Sequence, residues 1–230
     1  MHVFNDFFNK EVTILNGDRS EYGMESTVVK VYSDESGQLL LKIFRLGSLS
    51  EQALKEELNK SEKFKRVPIE IFKRETVVPE NKNSEAPGGL LTHYSPYQVS
   101  YMAERKKPGD SGVMGEEVPI DLKKTVLIDF DKAFADIKGN FLGYFSLSDK
   151  GDLREAMTNF YYHLRQAENF EGCQNIILVN IHELFVAKAK DDTKELPEHL
   201  DTIYDKCFRS VSGKKLILDT ESMKFYYKSG

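Results

Sequence analysis

Strands of the buried type alternate with amphipathic helices in the C-terminal half, and this alternation constrains the fold most. Segment 175–181 is almost continuously apolar, which is typical of a strand in a parallel sheet covered on both faces. In segment 152–166, Met157, Phe160 and Leu164 follow helical spacing. Strands separated by helices predict an α/β fold with a mainly parallel sheet.

Four more segments continue this pattern. Segments 125–129, 141–146 and 215–218 are short and apolar enough to form further strands. An apolar stripe over 200–208 predicts another helix, which begins after Pro197.

The first third of the chain predicts strands joined by tight turns. Segment 26–32 is rich in β-branched residues, and the turn residues of 34–37 separate it from 39–44, its expected antiparallel partner. A helix follows, because Ser50 can cap it or Ser48 can form a capping box with Glu51.

Two stretches rich in helix and strand breakers interrupt the chain. They span 78–89 and 106–119 and show no apolar periodicity. We interpret this region as a linker between an N-terminal and a C-terminal part.

Charge and cysteine content exclude several classes of protein. The 230 residues carry a formal net charge of −5, so a broad nucleic-acid surface of clustered cations is not expected. The two cysteines, Cys173 and Cys207, form no disulfide framework and suit a reducing compartment. No signal peptide or long apolar run is present, so we expect a soluble cytoplasmic protein with no membrane contact.

Common catalytic and ligand-binding motifs are missing from the sequence. It has no HExxH, GxGxxG, Walker A or GxSxG pattern, and no metal site is predicted. Two places stand out instead. One is the Glu25-Ser26-Thr27 segment at a strand start, and the other is His93-Tyr94-Ser95-Pro96 inside the linker. Either can be a local packing contact or a ligand-binding group.

Five motifs, in matching order, resemble those of the threonylcarbamoyl-AMP synthase family. Segment 23–29 resembles its GxESTVV strand, and 44–47 resembles its RPG turn. Segment 86–96 resembles its linker motif SPGxxxxHYxP. Segments 151–157 and 204–214 resemble its GDLxEA helix and its late DR…RxASGK stretch, with Lys in place of the usual Arg at position 206.

The resemblance implies a fold in three parts. Residues 1–73 would be the C-terminal remnant of a YrdC-like catalytic α/β domain, and 74–120 the linker that carries the HYxP motif. Residues 121–230 would form a Rossmann-like three-layer domain with a mainly parallel sheet. Most of the N-terminal catalytic domain, with its basic KRP-type phosphate site, is not expected in this chain.

The resemblance also implies a reaction and its ligands. Members of the family convert L-threonine, bicarbonate and ATP, with Mg²⁺, into threonylcarbamoyl-AMP for tRNA modification. Ser26 and Thr27 would contact threonine, and Arg45 and Tyr94 would contact ATP, Tyr94 as part of a lid. No catalytic residue is assigned, and tRNA would be only an indirect partner.

Several roles stay open. The first is that the chain is one part of a split synthase, which a separate N-terminal catalytic chain would complete. Exposed sheet edges in the N-terminal part would favour such a partner or a homodimer. The alternative is a non-catalytic module that binds a nucleotide, RNA or a protein. A stand-alone synthase and an inactive remnant are the other readings. Isolated binding groups lose most of the positioning contribution to catalysis, so activity of the chain alone is not expected.

Overall fold

The computed structural model of the chain contains two sheets and four α-helices among the residues that it describes. These residues are 4, 7–15, 17, 20–71, 94–107, 114–188 and 196–228. Predictions that fall on 72–93, including His93 of the linker motif, and on 108–113 lie outside the described residues.

The N-terminal sheet has three strands. Strand β1 (Val28–Ser33) pairs antiparallel with β2 (Leu39–Arg45), as predicted, and β3 (Ile69–Ile71) pairs parallel with β2. Helix α1 (Glu51–Asn59) follows β2, and the side chain of Ser50 caps it by accepting a hydrogen bond from the third amide of the first turn. The prediction of Ser50 as the cap is therefore confirmed.

The C-terminal sheet has seven strands in the order β5-β10-β9-β4-β8-β6-β7. They are β4 (Val99–Arg105), β5 (Met114–Val118), β6 (Thr125–Asp129), β7 (Gly143–Ser146), β8 (Asn175–Val179), β9 (Lys215–Asp219) and β10 (Lys224–Lys228). The five strands from β9 to β7 are parallel, and β10 pairs antiparallel with both β9 and β5. The predicted α/β class with a mainly parallel sheet is confirmed.

Three helices accompany this sheet: α2 (Leu153–Glu168), α3 (Ile181–Lys188) and α4 (Leu200–Ser210). Asp152 caps α2 by accepting hydrogen bonds from two amides of its first turn. Helix α2 packs on β6 and β7, and α4 packs on β4 and against α2. The core lies between these helices and the strands, where Leu127 and Ile177 are almost completely buried.

The central strand β4 lies inside the range 74–120, which the sequence predicted only as a linker. Its residues Met102 and Ala103 are buried, and β5 from the same range also joins the large sheet. Strand β4 lacks the β-branched run that marks β6 and β8, and breakers lie on both sides of it. Its place between β8 and β9 therefore comes from tertiary pairing, which overrides a weak local signal.

Candidate functional site

A tight loop after β2 packs against the residues that lead into β1. The amides of Gly47 and Leu49 donate to the Thr27 hydroxyl at 3.1 and 3.2 Å, and the Ser48 amide donates to the Glu25 carbonyl at 3.0 Å. A Cβ at Gly47 would lie 2.2 Å from that carbonyl oxygen, so only glycine allows this approach. The loop thereby fixes the segment that contains Glu25 and Thr27.

Arg45, the last residue of β2, brings its guanidinium to Ser26. The Arg45 Nε donates to the Ser26 carbonyl at 3.1 Å, and Nη2 lies 3.3 Å from the Ser26 hydroxyl oxygen. The antiparallel pairing of β1 and β2 produces this contact, since it brings the end of β2 beside the start of β1. The positive charge of Arg45 therefore lies next to the Ser26 hydroxyl.

The carboxylate of Glu25 connects this place with the C-terminal half. Tyr161 of α2 donates to Glu25 Oε1 at 3.1 Å, and Lys206 Nζ of α4 lies 3.2 Å from Oε2. The Tyr94 hydroxyl also donates to Glu25, and its ring centroid lies 4.9 Å from that of Tyr161. Residues from four distant stretches of chain therefore meet at one carboxylate.

The charge state of this cluster follows from its contacts. Burial on its own raises the pKa of Glu25, but the Tyr94 hydroxyl and the Lys206 ammonium outweigh burial and lower it to about 2. Burial and the Glu25 carboxylate raise the pKa of Tyr94 to about 12, while the positive charge of Arg45 acts in the opposite direction. At neutral pH the cluster therefore holds an ionised Glu25 and a neutral Tyr94 phenol.

Tyr94 is held in an unusual backbone conformation. Its φ is 59°, in the left-handed region that a bulky residue rarely adopts. The contacts to Glu25 and Tyr161 compensate for the cost of this conformation, of order 1–3 kcal/mol. Strained backbone conformations of this kind cluster at active sites and ligand-binding sites.

Three of the four predicted site residues thus come together: Ser26, Arg45 and Tyr94, all around Glu25. The Thr27 hydroxyl, by contrast, is engaged by the loop after β2 and also donates to the Leu49 carbonyl. Sequence reasoning assigned no role to Glu25 or Lys206. Both lie in motifs identified from the sequence, Glu25 in segment 23–29 and Lys206 in segment 204–214, and these motifs are the signals that point to them.

A cavity of about 510 Å³ lies beside Tyr94, between residues 94–96 and residues 161–168 of α2. Tyr161, Tyr162 and Leu164 form much of its apolar wall. Arg165 and Glu168, paired at 2.7 Å, provide its charged end. Its volume lies within the range of about 300–1,000 Å³ found for small-molecule sites.

The described residues do not fit a protein-bound Mg²⁺ site. Among them, no group of three or more His, Cys, Asp or Glu side chains converges as a metal site. Glu25 is already hydrogen-bonded by two phenols and paired with an ammonium. A magnesium ion at this place would therefore depend on ligands such as phosphate oxygens rather than on these side chains.

Within the described ranges, none of the helices combines the length and apolarity needed to cross a bilayer.

Comparison with solved structures finds two relatives of the fold, both Sua5 proteins of P. abyssi. One is Sua5 complexed with L-threonine, which is 16% identical, with a TM-score of 0.59 over 94% of this chain and 54% of that chain. The other is a Sua5 variant in which a histidine and the adjacent tyrosine are alanine. It is 18% identical, with a TM-score of 0.50 over 95% of this chain and 52% of that chain. This chain therefore spans about half the length of the solved structures that it matches.

No curated protein matches the chain. The family model described as "Threonylcarbamoyl-AMP synthase, C-terminal domain" matches residues 51–192, which is more than half of it. That range includes α1 and, in chain order, the strands from β4 to β8. Together with the fold, this match shows that the chain belongs to the threonylcarbamoyl-AMP synthase C-terminal domain family.

Proposed function

We propose that the chain contributes Ser26, Arg45 and Tyr94 to the synthesis of threonylcarbamoyl-AMP from L-threonine, bicarbonate and ATP. The N-terminal catalytic part of the family, which lies outside these 230 residues, would complete the site, and the product would serve tRNA modification. The observation that carries this proposal is the meeting of the three residues around Glu25. Membership of the synthase family supports the same reaction.

Each group has a chemistry that suits its proposed ligand. The Arg45 guanidinium is a planar cation with several donors, which matches a phosphate of ATP. The Ser26 hydroxyl, 3.3 Å from that guanidinium, can hydrogen-bond the polar groups of threonine. The P. abyssi Sua5 structure complexed with L-threonine supports threonine as the amino-acid substrate. Thr27 would act indirectly, since its hydroxyl holds the loop after β2 against this segment.

Tyr94 would act mainly through its ring. A phenol has a single proton, and that of Tyr94 is donated to Glu25, so it is not available to a phosphate in this arrangement. The residue is 47% exposed, and its ring would cover the nucleotide and exclude water from a reactive carbamoyl-adenylate. We therefore expect Tyr94→Phe, which keeps the ring but loses its hydrogen bond to Glu25, to lower activity about tenfold, and Tyr94→Ala, which also loses the ring, to lower it further.

The small sheet supports the requirement for a partner. Strand β1 is its outer strand, and no described residue pairs with the free edge. Val29 and Val31 on β1 are 41% and 61% exposed. An unpaired edge with exposed apolar side chains is a surface that another strand can cover. We propose the N-terminal catalytic part as that neighbour, and a second copy of this chain would be the competing result.

The deciding experiment is a synthase assay on the full chain, with and without an N-terminal catalytic fragment that contains the KRP-type site. We expect threonylcarbamoyl-AMP only when both are present. Arg45→Ala should lower the rate by at least about 100-fold, because a phosphate-positioning cation is lost. Arg66→Ala, an exposed arginine beyond α1, is the matched control and should leave the rate unchanged. Product formed by the chain alone, or by the mixture with Arg45→Ala at full rate, would refute the proposal.

A second candidate is a non-catalytic module that binds a nucleotide through the C-terminal half. The cavity of about 510 Å³ beside Tyr94 favours it, since aromatic walls and a guanidinium suit a nucleobase with its phosphates. Calorimetry with ATP and the chain alone separates the two candidates. Binding that Tyr162→Ala abolishes and Arg45→Ala leaves intact would support the module, and the reverse pattern would support the synthase site.

A further inference from the structure

Helix α4 has two buried faces of opposite character. Ile203 and Cys207 belong to the apolar core that packs on the large sheet. Thr202 and Lys206 lie about one turn apart on a polar face, and they are only 2% and 3% exposed. Buried lysines are rare unless they are paired, so this face requires a specific partner.

The partners of the polar face come from the N-terminal segment. Thr202 donates to the carbonyl of Gly47 at 3.4 Å, in the loop after β2. Lys206 Nζ reaches Glu25 Oε2 at 3.2 Å, with its side chain 2% exposed. The same helix therefore contacts both the loop and the strand start that hold the proposed site.

A buried ion pair is a poor way to gain stability. Removing two charges from water costs several kcal/mol per ion, and apolar residues of similar size often serve as well or better. In some proteins such a pair is retained because it specifies a single arrangement of the chain. Glu25 also accepts a hydrogen bond from the Tyr94 hydroxyl. The position of Lys206 therefore affects the position of Tyr94 through the Glu25 carboxylate.

We infer that Lys206 is a positioning residue: through Glu25 it fixes the Tyr94 phenol beside Ser26 and Arg45. The contacts of Glu25 with Lys206 and Tyr94, and that of Arg45 with Ser26, carry this inference. The inference rests on the proposed function only in one respect, the identity of the ligand that binds at Ser26, Arg45 and Tyr94. The C-terminal domain would thereby set the geometry of the site without touching the substrate.

The test uses the full chain with ¹³C-labelled tyrosine, the Tyr94 resonance being assigned by its loss in Tyr94→Phe. Lys206→Met removes the ammonium and keeps the length of the side chain. We expect it to shift the Tyr94 resonance and accelerate amide exchange in residues 22–50. We also expect it to weaken Mg-ATP binding at least about tenfold. Lys206→Arg should restore all three, and Lys150→Met, at an exposed site, should change none.

An unchanged Tyr94 resonance and unchanged exchange in folded Lys206→Met would overturn the inference. If Lys206→Met does not fold, the double variant Glu25→Gln with Lys206→Met leaves no lone buried charge. There the Tyr94 resonance should shift and amide exchange in residues 22–50 should accelerate, because the pair that holds Tyr94 is gone, and no change in either would also overturn the inference. If the unmodified chain together with the N-terminal catalytic fragment binds no Mg-ATP, the nucleotide part of the proposed function fails. The resonance and the exchange still decide the role of Lys206.

Discussion

We expect Gly47→Ala to disrupt the proposed site, because the loop after β2 must move away from residues 25–27. Gly47 is buried, and an added Cβ would lie 2.2 Å from the Glu25 carbonyl oxygen and 2.5 Å from the Thr27 amide nitrogen. These atoms belong to the backbone that leads into β1, which cannot rotate away as a flexible side chain could. The loop that contains residue 47 must therefore move. Movement breaks three hydrogen bonds, from the amides of Gly47, Ser48 and Leu49. At about 1 kcal/mol each, the free energy of unfolding should fall by about 3 kcal/mol.

Urea unfolding followed by far-ultraviolet circular dichroism measures this loss. Gly139→Ala is the matched control, because a Cβ there meets nothing within 4 Å, and its effect should stay within about 0.5 kcal/mol. We also expect Gly47→Ala to reduce synthase activity in the reconstituted assay, since the loop holds the segment before Ser26. A change in unfolding free energy below about 0.5 kcal/mol for Gly47→Ala would refute the reasoning.

Three further predictions concern neighbouring contacts. Thr27→Val keeps the shape but leaves two loop amides without their acceptor, so we expect a loss of about 2 kcal/mol in urea unfolding, and Thr27→Ser should recover most of it. Ser50→Ala removes the cap of α1 and the 2.6 Å hydrogen bond to Glu198. It should cost about 1–2 kcal/mol in the same assay, and a cost near zero would argue against the cap. The pKa of Glu25 is lowered from 4.5 to about 2. Its contribution to stability is therefore present above pH 4.5 and is lost as the pH falls towards 2. Acid titrations of Glu25→Gln should lack this part of the pH dependence, and a profile identical to that of the unmodified chain would contradict the assignment.

The candidate site was predictable only in part. Ser26 and Arg45 stood out through the motifs that contain them, and antiparallel pairing of their strands was readable from the turn between them. Position 206 stood out through the late motif, but its contact with Glu25 was not predictable, because the apolar stripe of its helix accounts for burial on one face only. Periodicity identifies the face that packs on the sheet, and it carries no information about a second buried face with polar partners from another part of the chain.

The sequence by itself determined the α/β class and the elements with strong periodicity, such as β6, β8 and α2, because burial of an apolar face is encoded in residues close together along the chain. Only the tertiary structure decided that β4 lies at the centre of the large sheet and that Glu25 meets Lys206. Both depend on contacts between segments far apart in sequence. The free energy of such a contact depends on which residues the folded chain brings together, and the local sequence around either residue does not specify its partner.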